Sequence, residues 1–287
     1  MAEATHREIL LVPHLFRASN IHSAARAAEM LQDAGITVRL LEQEQMEVIE
    51  TNPVLSGLTR AAADDDAAAG CELVLVLGGD GTFLRAASYA HAQDIPVLGI
   101  NLGHVGFLAE GEASSLEKVV GQVIDRSYRV VDRMTLDVAV IGDGGEVLGR
   151  SWALNECSIE NSDRSRVLDA TLEVDFRPVS SFGCDGVLIS TPTGSTAYAF
   201  SAGGPIMWPQ LDAILVVPNN AHALFAKPLV VAPTSTVAVE SERQTTQATA
   251  VMDGQRRMTV PAGSRVEVAR GTRPVRWVRL DLSLIHL

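Results

Sequence analysis

The stretch that decides the fold is Leu73-Val74-Leu75-Val76-Leu77-Gly78-Gly79-Asp80-Gly81-Thr82. Its apolar half predicts a buried strand of the kind found in parallel sheets. The glycines that follow allow the backbone to turn sharply and to approach a ligand closely. Thr82 stands where a helix N-cap is expected, ahead of an alanine-rich segment. The stretch therefore predicts a strand, a glycine turn and a helix, with Asp80 at the strand end where open α/β sheets bind ligands.

A helix start at this place favours phosphate, which makes an ionised Asp80 an unusual neighbour. Such a carboxylate either binds a metal or takes a proton from a substrate hydroxyl. The turn is not a P-loop, because Thr82 rather than a lysine follows Gly81. It is not the dinucleotide fingerprint G-x-G-x-x-G, because Leu84 replaces the last glycine. An ordinary turn without chemistry is the alternative, since glycine and aspartate are common turn residues.

Composition limits the class of protein. The 287 residues allow one large or two medium domains, and the 47% hydrophobic content is enough for a packed core. We expect no membrane contact, because no apolar run is long enough to span a bilayer. Cys71, Cys157 and Cys184 lie far apart without zinc-ligand spacing, which favours a reduced cytoplasm. The formal net charge of −12 argues against nucleic acid as a partner, but not against small anionic ligands.

The patterning divides the chain into two parts. Alternating strands and helices predict an α/β domain over residues 1–126, with a Rossmann-like parallel sheet. Within it, a helix is expected over Pro53–Ala69. Short alternating runs and turn signals predict a β-rich domain over residues 127–287, including the run Val275–Leu280.

Two segments of the β-rich part carry candidate binding residues. The strand Val187–Ile189 is followed by a stretch rich in Ser, Thr and Gly and then by a helix start. This arrangement can hold a ribose or a phosphate, although a Ser/Thr-capped loop without a ligand is common. Asn155 and Glu156 place an amide beside a carboxylate. Adjacent strand residues face opposite ways, so both reach one ligand only at a strand end or bulge, and a plain polar strand end is the alternative.

These segments, in this order, resemble the NAD kinase family and are similar to its actinobacterial-type members. The glycine turn is also used by diacylglycerol and sphingosine kinases, and phosphofructokinases carry a related turn. Asn155-Glu156 and Thr191–Tyr198 are the segments that single out the NAD kinases. The full set of matching stretches is Gly78-Gly79-Asp80-Gly81-Thr82, Asn101-Leu102-Gly103, Gly106-Phe107-Leu108, Asn155-Glu156, and Asp185 through Gly204.

The resemblance implies an α/β domain joined to a β-sandwich domain. It implies transfer of the γ-phosphate of ATP, or a phosphate of inorganic polyphosphate, to the 2′-hydroxyl of the adenosine ribose of NAD⁺, giving NADP⁺. Asp80 is then the general base. Mg²⁺ or Mn²⁺ is expected on the substrate phosphates without dedicated protein ligands, and a homodimer or homotetramer is expected. The substrate- or nucleotide-binding residues carried over from the family motifs are Gly81, Arg85, Asn155, Glu156, Arg166, Asp185, Thr193, Thr196, Ala197, Tyr198, Ser201 and Gln255.

Two other functions remain open from the residues. A lipid kinase sharing the glycine turn would have an apolar, membrane-facing entrance and no need for Asn155-Glu156. A non-catalytic regulator would bind NAD without transferring phosphate. Asp80 favours an enzyme over a regulator, because a pure binder gains nothing from a carboxylate near phosphates.

Overall fold

The computed structural model describes residues 6–14, 18–42, 49, 51–102, 108–109, 111–112, 115–162, 167–221, 227–241 and 247–280. These residues form two units. The first unit is made by the described parts of Met1–Asp132 and Val275–His286, and the second by that of Arg133–Pro274. The chain therefore leaves the first unit, builds the second, and returns.

The first unit contains an eight-stranded, mostly parallel sheet. Its strands are β1 Glu8–Pro13, β2 Thr37–Leu41, β3 Thr59–Ala61, β4 Leu73–Leu77, β5 Val97–Asn101, β6 Gly111–Glu112, β7 Arg129–Arg133 and, much later in the chain, β20 Val275–Arg279. Their order in the sheet is β3-β2-β1-β4-β5-β20-β7, and β6 also pairs with β5. β4 lies in the middle and is buried along its whole length, as its continuous apolar sequence predicts.

The helices whose bounds the described residues define in the first unit are α1 Ala18–Asp33, α2 Pro53–Ser56, α3 Asp80–Ala92 and α4 Leu116–Ile124. α4 buries one face in the core of the unit, through Leu116, Val119, Val120 and Val123. Their spacing of three and four residues is that of an amphipathic helix. Among the described residues, no helix is both long and apolar enough to cross a membrane.

The helix predicted over Pro53–Ala69 is wrong beyond its first turn. The Asn52 side chain accepts the N–H groups of the first helical turn, and the helix ends at Ser56 before Gly57. Thr59–Ala61 then pairs with β2 at the edge of the sheet. The backbone hydrogen bonds of the sheet edge replace those that a longer helix would have made.

The strand Val275–Arg279, predicted in the β-rich part, lies in the first sheet. Trp277 pairs with Val97 of β5 and is buried. Its ring packs on Phe83 of α3, with the ring centroids 4.5 Å apart. Residues 127–132 also belong to the first unit, so the observed division differs from the boundary expected after residue 126. Burial of Trp277 between strand and helix explains why this strand returns.

The second unit is a sandwich of two antiparallel six-stranded sheets, which confirms the β-sandwich prediction. Its strands are β8 Leu136–Ile141, β9 Val147–Ala153, β10 Glu156–Asn161, β11 Leu168–Val174, β12 Arg177–Cys184, β13 Gly186–Ser190, β14 Ile214–Asn219, β15 Leu229–Val231, β16 Val237–Ser241, β17 Ala248–Met252, β18 Arg256–Val260 and β19 Arg265–Arg270. One sheet has the order β15-β14-β13-β10-β17-β18 and the other β12-β11-β16-β19-β8-β9. Apolar side chains from both sheets form one core, to which Val138 and Val266 contribute from one sheet and Ile189 and Val216 from the other.

A second, smaller core lies on the outer face of β13 and β14. Leu188 and Leu215 pack there with Ala199 and Met207. Ala199 belongs to the short helix α5, Tyr198–Ser201, which follows a 3-10 turn at Thr193–Thr196. This packing holds the Ser/Thr/Gly-rich segment against the sandwich.

We predict that Gly99→Ala destabilises the first unit. A Cβ at Gly99 would lie 2.7 Å from the ring of Phe83 and 3.2 Å from the carbonyl oxygen of Leu108. Overpacking of this kind lowers the free energy of unfolding by about 1–3 kcal/mol. Chemical denaturation of the two proteins measures the difference.

Gly121→Ala in α4 is the matched control, because the added methyl group would meet no described atom within 4 Å outside the helix's own backbone. Replacing a glycine inside a helix by alanine raises the free energy of unfolding by about 0.5–1 kcal/mol. Equal stability of the two variants would contradict the packing of Phe83 on Gly99.

Candidate active site

The predicted strand, glycine turn and helix are present around Asp80. β4 ends at Leu77 and α3 begins at Asp80. The prediction of Thr82 as N-cap is wrong, because the cap is Gly79, whose carbonyl oxygen accepts the N–H groups of Thr82 and Phe83 at 3.0 Å. The earlier start places the carboxylate of Asp80 in the first helical turn, where negative charge is favourable.

Gly78 is held tightly between β1 and α3. A Cβ on it would lie 2.9 Å from the side chain of Thr82 and 3.0 Å from the Cβ of His14. Its N–H donates to the carbonyl of Ile100 at 3.0 Å. The amide of Asn20 donates to the carbonyl of His14 at 2.9 Å and so holds the end of β1. A side chain at position 78 would push apart the elements that place Asp80.

Asp80 lies at the carboxyl edge of the parallel sheet and is half-buried. Its carboxylate accepts the backbone N–H of Leu108 at 3.1 Å. Gly81 follows in the same turn, with open space among the described atoms where a Cβ would stand. Arg85 lies on the next turn of α3 and is half-buried. This edge combines a helix N-terminus and an arginine, which suit phosphate, with a carboxylate that can take a proton.

In the second unit, Asn155 and Glu156 lie where β9 ends and β10 begins, at a strand end as the sequence requires. Both side chains are buried. Asn155 Oδ1 and Glu156 Oε2 have no hydrogen-bond partner among the residues that the structure describes. Leaving a buried polar atom unpaired costs about 1–3 kcal/mol. The two oxygens are therefore suited to accept hydrogen bonds from a ligand.

The electrostatics of Glu156 are unusual for a carboxyl group. Burial, reinforced by the negative charge of Asp253, raises the pKa of Glu156 to about 8. The backbone N–H of Tyr198 donates to the Glu156 carboxylate and acts in the opposite direction. Near neutral pH the group is therefore largely protonated, and hydrogen-bond donors from a ligand would favour its ionised form.

Asp253 holds the turn before Glu156. Its Oδ1 accepts the backbone N–H groups of Leu154 at 3.0 Å and of Asn155 at 2.7 Å. Arg256 donates to its Oδ2 at 2.6 Å. Three donors thus surround one buried carboxylate, which fixes the backbone path on which Asn155 and Glu156 stand.

The Ser/Thr/Gly-rich segment packs on the same turn. Thr191 Oγ1 donates to the carbonyl of Leu154 at 2.6 Å, and the backbone N–H of Thr191 donates to the carbonyl of Asn155 at 2.9 Å. Ser190 Oγ also donates to the Asn155 carbonyl, at 3.1 Å. Gly194 approaches so closely that a Cβ would lie 2.6 Å from the Cα of Asn155. Only glycine allows this contact.

The other predicted residues of this segment flank Gly194 in the chain. Of these, Tyr198 reaches the Asn155–Glu156 turn, where its backbone N–H donates to the Glu156 carboxylate. The Tyr198 hydroxyl accepts the amide of Asn219 at 3.5 Å. The residues concerned are Thr193 and Thr196 in the 3-10 turn, Ala197 at the start of α5, and Tyr198 and Ser201 within it.

Asp185 lies away from this turn. It precedes β13, whereas Ser190 at the other end of β13 contacts Asn155. Five strand residues span roughly 16 Å. The Asp185 carboxylate accepts the amide of Asn220 at 2.8 Å. Gln255 is exposed in the β17–β18 turn.

Some predicted residues cannot be placed. Arg166 lies outside the described residues, as does the stretch Gly103–Phe107 of the second matching segment. Among the residues that are described, no group of three His, Cys, Asp or Glu side chains is suited to hold a metal ion.

Sequence reasoning missed Asp253, its partner Arg256, and Trp152, which Arg256 contacts in turn. The signal was faint, because Asp253-Gly254 is an ordinary turn dipeptide between two short strands. The structure shows instead that Asp253 is buried and turned toward Leu154 and Asn155.

Comparison with known proteins gives consistent results across both units. Residues 9–128 match the family model of the ATP-NAD kinase N-terminal domain, and residues 154–280 match that of the ATP-NAD kinase C-terminal domain. The chain is 69% identical to the NAD kinase of Corynebacterium efficiens over 281 residues, covering 98% of this chain and 88% of that protein. It is 58% identical to the NAD kinase of Rhodococcus opacus, covering 96% of this chain and 89% of that protein.

Two solved structures share the fold. Yeast NADH kinase in complex with NADH superposes with a TM-score of 0.84 at 21% identity, covering 96% of this chain and 83% of that one. An NAD kinase from Archaeoglobus fulgidus in complex with ATP superposes with a TM-score of 0.70 at 23% identity, covering 96% of this chain and 94% of that one. Together with the matched domain families and relatives, the fold shows that this chain belongs to the ATP-NAD kinase family of phosphotransferases.

Proposed function

We propose that this chain transfers the γ-phosphate of ATP to the 2′-hydroxyl of the adenosine ribose of NAD⁺, giving NADP⁺ and ADP. The observation that carries the substrate assignment is the pair of buried, unpartnered oxygens on Asn155 and Glu156 in the described part of the chain. NAD⁺ offers ribose hydroxyl and adenine amino groups as donors to such oxygens. A lipid kinase would have no use for this pair, and the family relationship supports a dinucleotide substrate.

Asp80 is the proposed general base. A ribose hydroxyl is a poor nucleophile, and a positioned carboxylate contributes roughly 10²–10⁴-fold by accepting its proton. The hydroxyl oxygen then bonds to the γ-phosphorus, the bond to the β–γ bridging oxygen breaks, and ADP leaves. Gly81, the N-terminus of α3 and Arg85 favour phosphate binding, and Arg166 is assigned to the same role by resemblance.

The second unit binds the dinucleotide in this proposal. Asn155 and Glu156 accept hydrogen bonds from its hydroxyl or amino groups. The segment beside them lines the nucleoside, and Gly194 allows this segment to pack closely against the backbone of Asn155. The remaining assigned contacts are Asp185, Thr193, Thr196, Ala197, Tyr198, Ser201 and Gln255.

The divalent cation is proposed to arrive with the phosphate donor. Mg²⁺ commonly keeps several waters and binds through substrate phosphates and one or two carboxylates. Mg²⁺ or Mn²⁺ on ATP would neutralise the charge that develops during phosphoryl transfer. Inorganic polyphosphate, which also carries linked phosphates, is the alternative donor.

We also propose a homodimer or homotetramer in a reducing cytoplasm. Phe200, Ile206, Trp208 and Leu211 are large apolar side chains exposed near one another in the sequence, and such groups favour association. The cysteines Cys71, Cys157 and Cys184 are free thiols and buried, which suits a reduced compartment.

We predict that Asp80→Asn abolishes most NADP⁺ formation from NAD⁺, ATP and Mg²⁺. The amide keeps the shape of the carboxylate but cannot accept the proton, so kcat falls roughly 10²–10⁴-fold. The KM for NAD⁺ changes little, because the lost interaction acts in the transition state. A coupled assay specific for NADP⁺ measures both constants.

Asp33→Asn, on the exposed end of α1, controls for the loss of one negative charge and should retain full activity. Unchanged turnover in Asp80→Asn would contradict the assignment of the base. A wild type that binds NAD⁺ without forming NADP⁺ would favour the regulator, and phosphorylation of a lipid hydroxyl would favour the lipid kinase.

We predict that Glu156→Gln changes how stability depends on pH. The folded pKa of about 8 lies above the ordinary value of 4.5 for an unburied group, so the folded state binds the proton more tightly. The stability from this group is complete below the unfolded pKa and is lost as the pH rises through the folded pKa. The variant avoids that loss, so its free energy of unfolding exceeds that of the wild type at about pH 9 by on the order of 4–5 kcal/mol, because each pKa unit between 4.5 and about 8 corresponds to about 1.4 kcal/mol.

Denaturant unfolding at about pH 5 and about pH 9 tests this expectation. Glu146→Gln, on an exposed turn, removes the same charge without the burial. If the free energies of unfolding of Glu156→Gln and the wild type differ by the same amount at both pH values, Glu156 is not a buried carboxyl with a raised pKa.

A further inference from the structure

A single buried residue makes hydrogen bonds with three successive residues at the candidate NAD site. Asp253, only 7% exposed, accepts the N–H groups of Leu154 and Asn155 through its carboxylate. Its own backbone N–H donates to the carbonyl of Glu156 at 3.0 Å. Asp253 thus determines the path of the chain through Asn155 and Glu156, although the proposed reaction assigns it no role.

The carboxylate of Asp253 is itself held in place. Arg256 donates to Asp253 Oδ2 at 2.6 Å and to the carbonyl of Trp152 at 2.9 Å. The guanidinium also lies over the Trp152 ring, 4.3 Å from its centroid. This arrangement ties the β17–β18 hairpin to the end of β9, and a planar guanidinium suits it because it can stack and donate at once.

We propose that Asp253 is a positioning residue, which holds the Asn155–Glu156 turn in the conformation whose two unpartnered oxygens accept hydrogen bonds from NAD⁺. The inference rests on the proposed function, because it takes Asn155 and Glu156 as contacts of NAD⁺. The described groups that contact the Asp253 carboxylate are all N–H donors, which matches a carboxylate with two accepting oxygens. An amide in its place would offer only one accepting oxygen.

Asp253 also acts on Glu156 through its charge. Negative Asp253 disfavours ionisation of Glu156, whereas the Tyr198 N–H favours it. Arg256 faces Asp253, and the neighbouring thiol of Cys157 is buried with its pKa raised. Burial raises the pKa of Asp253 as well, against its N–H donors and Arg256. Because ribose hydroxyl donors prefer an ionised acceptor, NAD⁺ should bind more tightly as the pH rises through the titration of Glu156.

A purely structural role is the competing explanation, since removing one partner of a buried ion pair destabilises a protein whatever its function. The two explanations differ in one readout. A structural residue affects the melting temperature and the amount of folded protein, but it does not move the pH at which NAD⁺ binding changes.

The test is titration calorimetry of NAD⁺ binding to the full chain between about pH 6 and about pH 9.5, with Asp253→Asn compared to the wild type. Glu156→Gln and Asn155→Ala report whether the turn binds NAD⁺. Asp175→Asn is the matched control, because Asp175 also accepts a backbone N–H and a hydroxyl in a turn of the second unit, at 3.0 and 3.1 Å.

We expect Asp253→Asn to weaken NAD⁺ binding by roughly 10- to 100-fold, from the loss of charge-assisted hydrogen bonds that order the turn. The midpoint of the pH dependence should move down by about one pH unit, because Glu156 loses a negative neighbour. Glu156→Gln should remove the pH dependence. Asp175→Asn should lower the melting temperature while leaving both the affinity and the midpoint unchanged.

Arg256→Lys provides a second variant that keeps the positive charge but cannot stack and bridge as the guanidinium does. It should weaken NAD⁺ binding with an unchanged midpoint, which separates orientation from charge. Suppose that Asp253→Asn keeps the wild-type affinity for NAD⁺ and the wild-type pH midpoint, while Asn155→Ala weakens binding. That result would overturn the positioning role of Asp253 and leave the proposed function standing. Unchanged affinity in both Asn155→Ala and Glu156→Gln would overturn both proposals.

Discussion

A buried carboxylate requires hydrogen-bond donors, and meeting this requirement at Asp253 organises the candidate site of the second unit. The donors come from the backbone between β9 and β10 and from Arg256 at the start of β18. Strands that are distant in sequence are therefore tied together at one point. The segment after β13 then packs on the same turn through Thr191 and Gly194. The β-sandwich makes the site rigid, and the Asp253 carboxylate sets the conformation of the turn between β9 and β10.

The two units place their functional groups in different ways. In the first unit, Asp80 stands at the end of a buried parallel strand and the start of a helix, so regular backbone geometry gives it its place, and its carboxylate also accepts the N–H of Leu108. In the second unit, Glu156 is buried with an oxygen that lacks a partner among the described residues. A buried oxygen without a hydrogen-bond partner is unfavourable for folding, and it is tolerated where the surrounding core is well packed.

The sequence predicted those features that depend on local pattern. The apolar run before Gly78 predicted β4, and alternating residues predicted the sandwich strands, because one strand face is buried at a time. It failed where partners are distant in the chain. Nothing local in Thr59–Ala61 indicates that β2 will pair with it, and nothing in Trp277 indicates that Phe83 lies beneath its ring.

In the candidate site, too, local patterns could be predicted from the sequence and distant partners could not. The residues Asp80, Asn155 and Glu156 could be named from their motifs, and the strand-end position of Asn155 could be deduced from side-chain alternation. The helix start at Gly79 could not be deduced, because Thr82 is the better N-cap by residue preference. The raised pKa of Glu156 results first from burial and then from the charge of Asp253, which lies far along the chain in another strand pair, so it could not be deduced without the structure.

The strand Val275–Arg279 lies between β5 and β7 in the sheet order, although the whole second unit separates β7 from it in sequence. In the described sheet, β20 is the strand that joins β7 to the rest. During synthesis on the ribosome, β7 therefore emerges long before its neighbour exists. The second unit can form while the first still has an open gap, and β20 closes that gap. Domains usually fold in order from the N-terminus. Here the N-terminal half of the protein is the part that must wait, and the long loop to be closed makes its completion a late step.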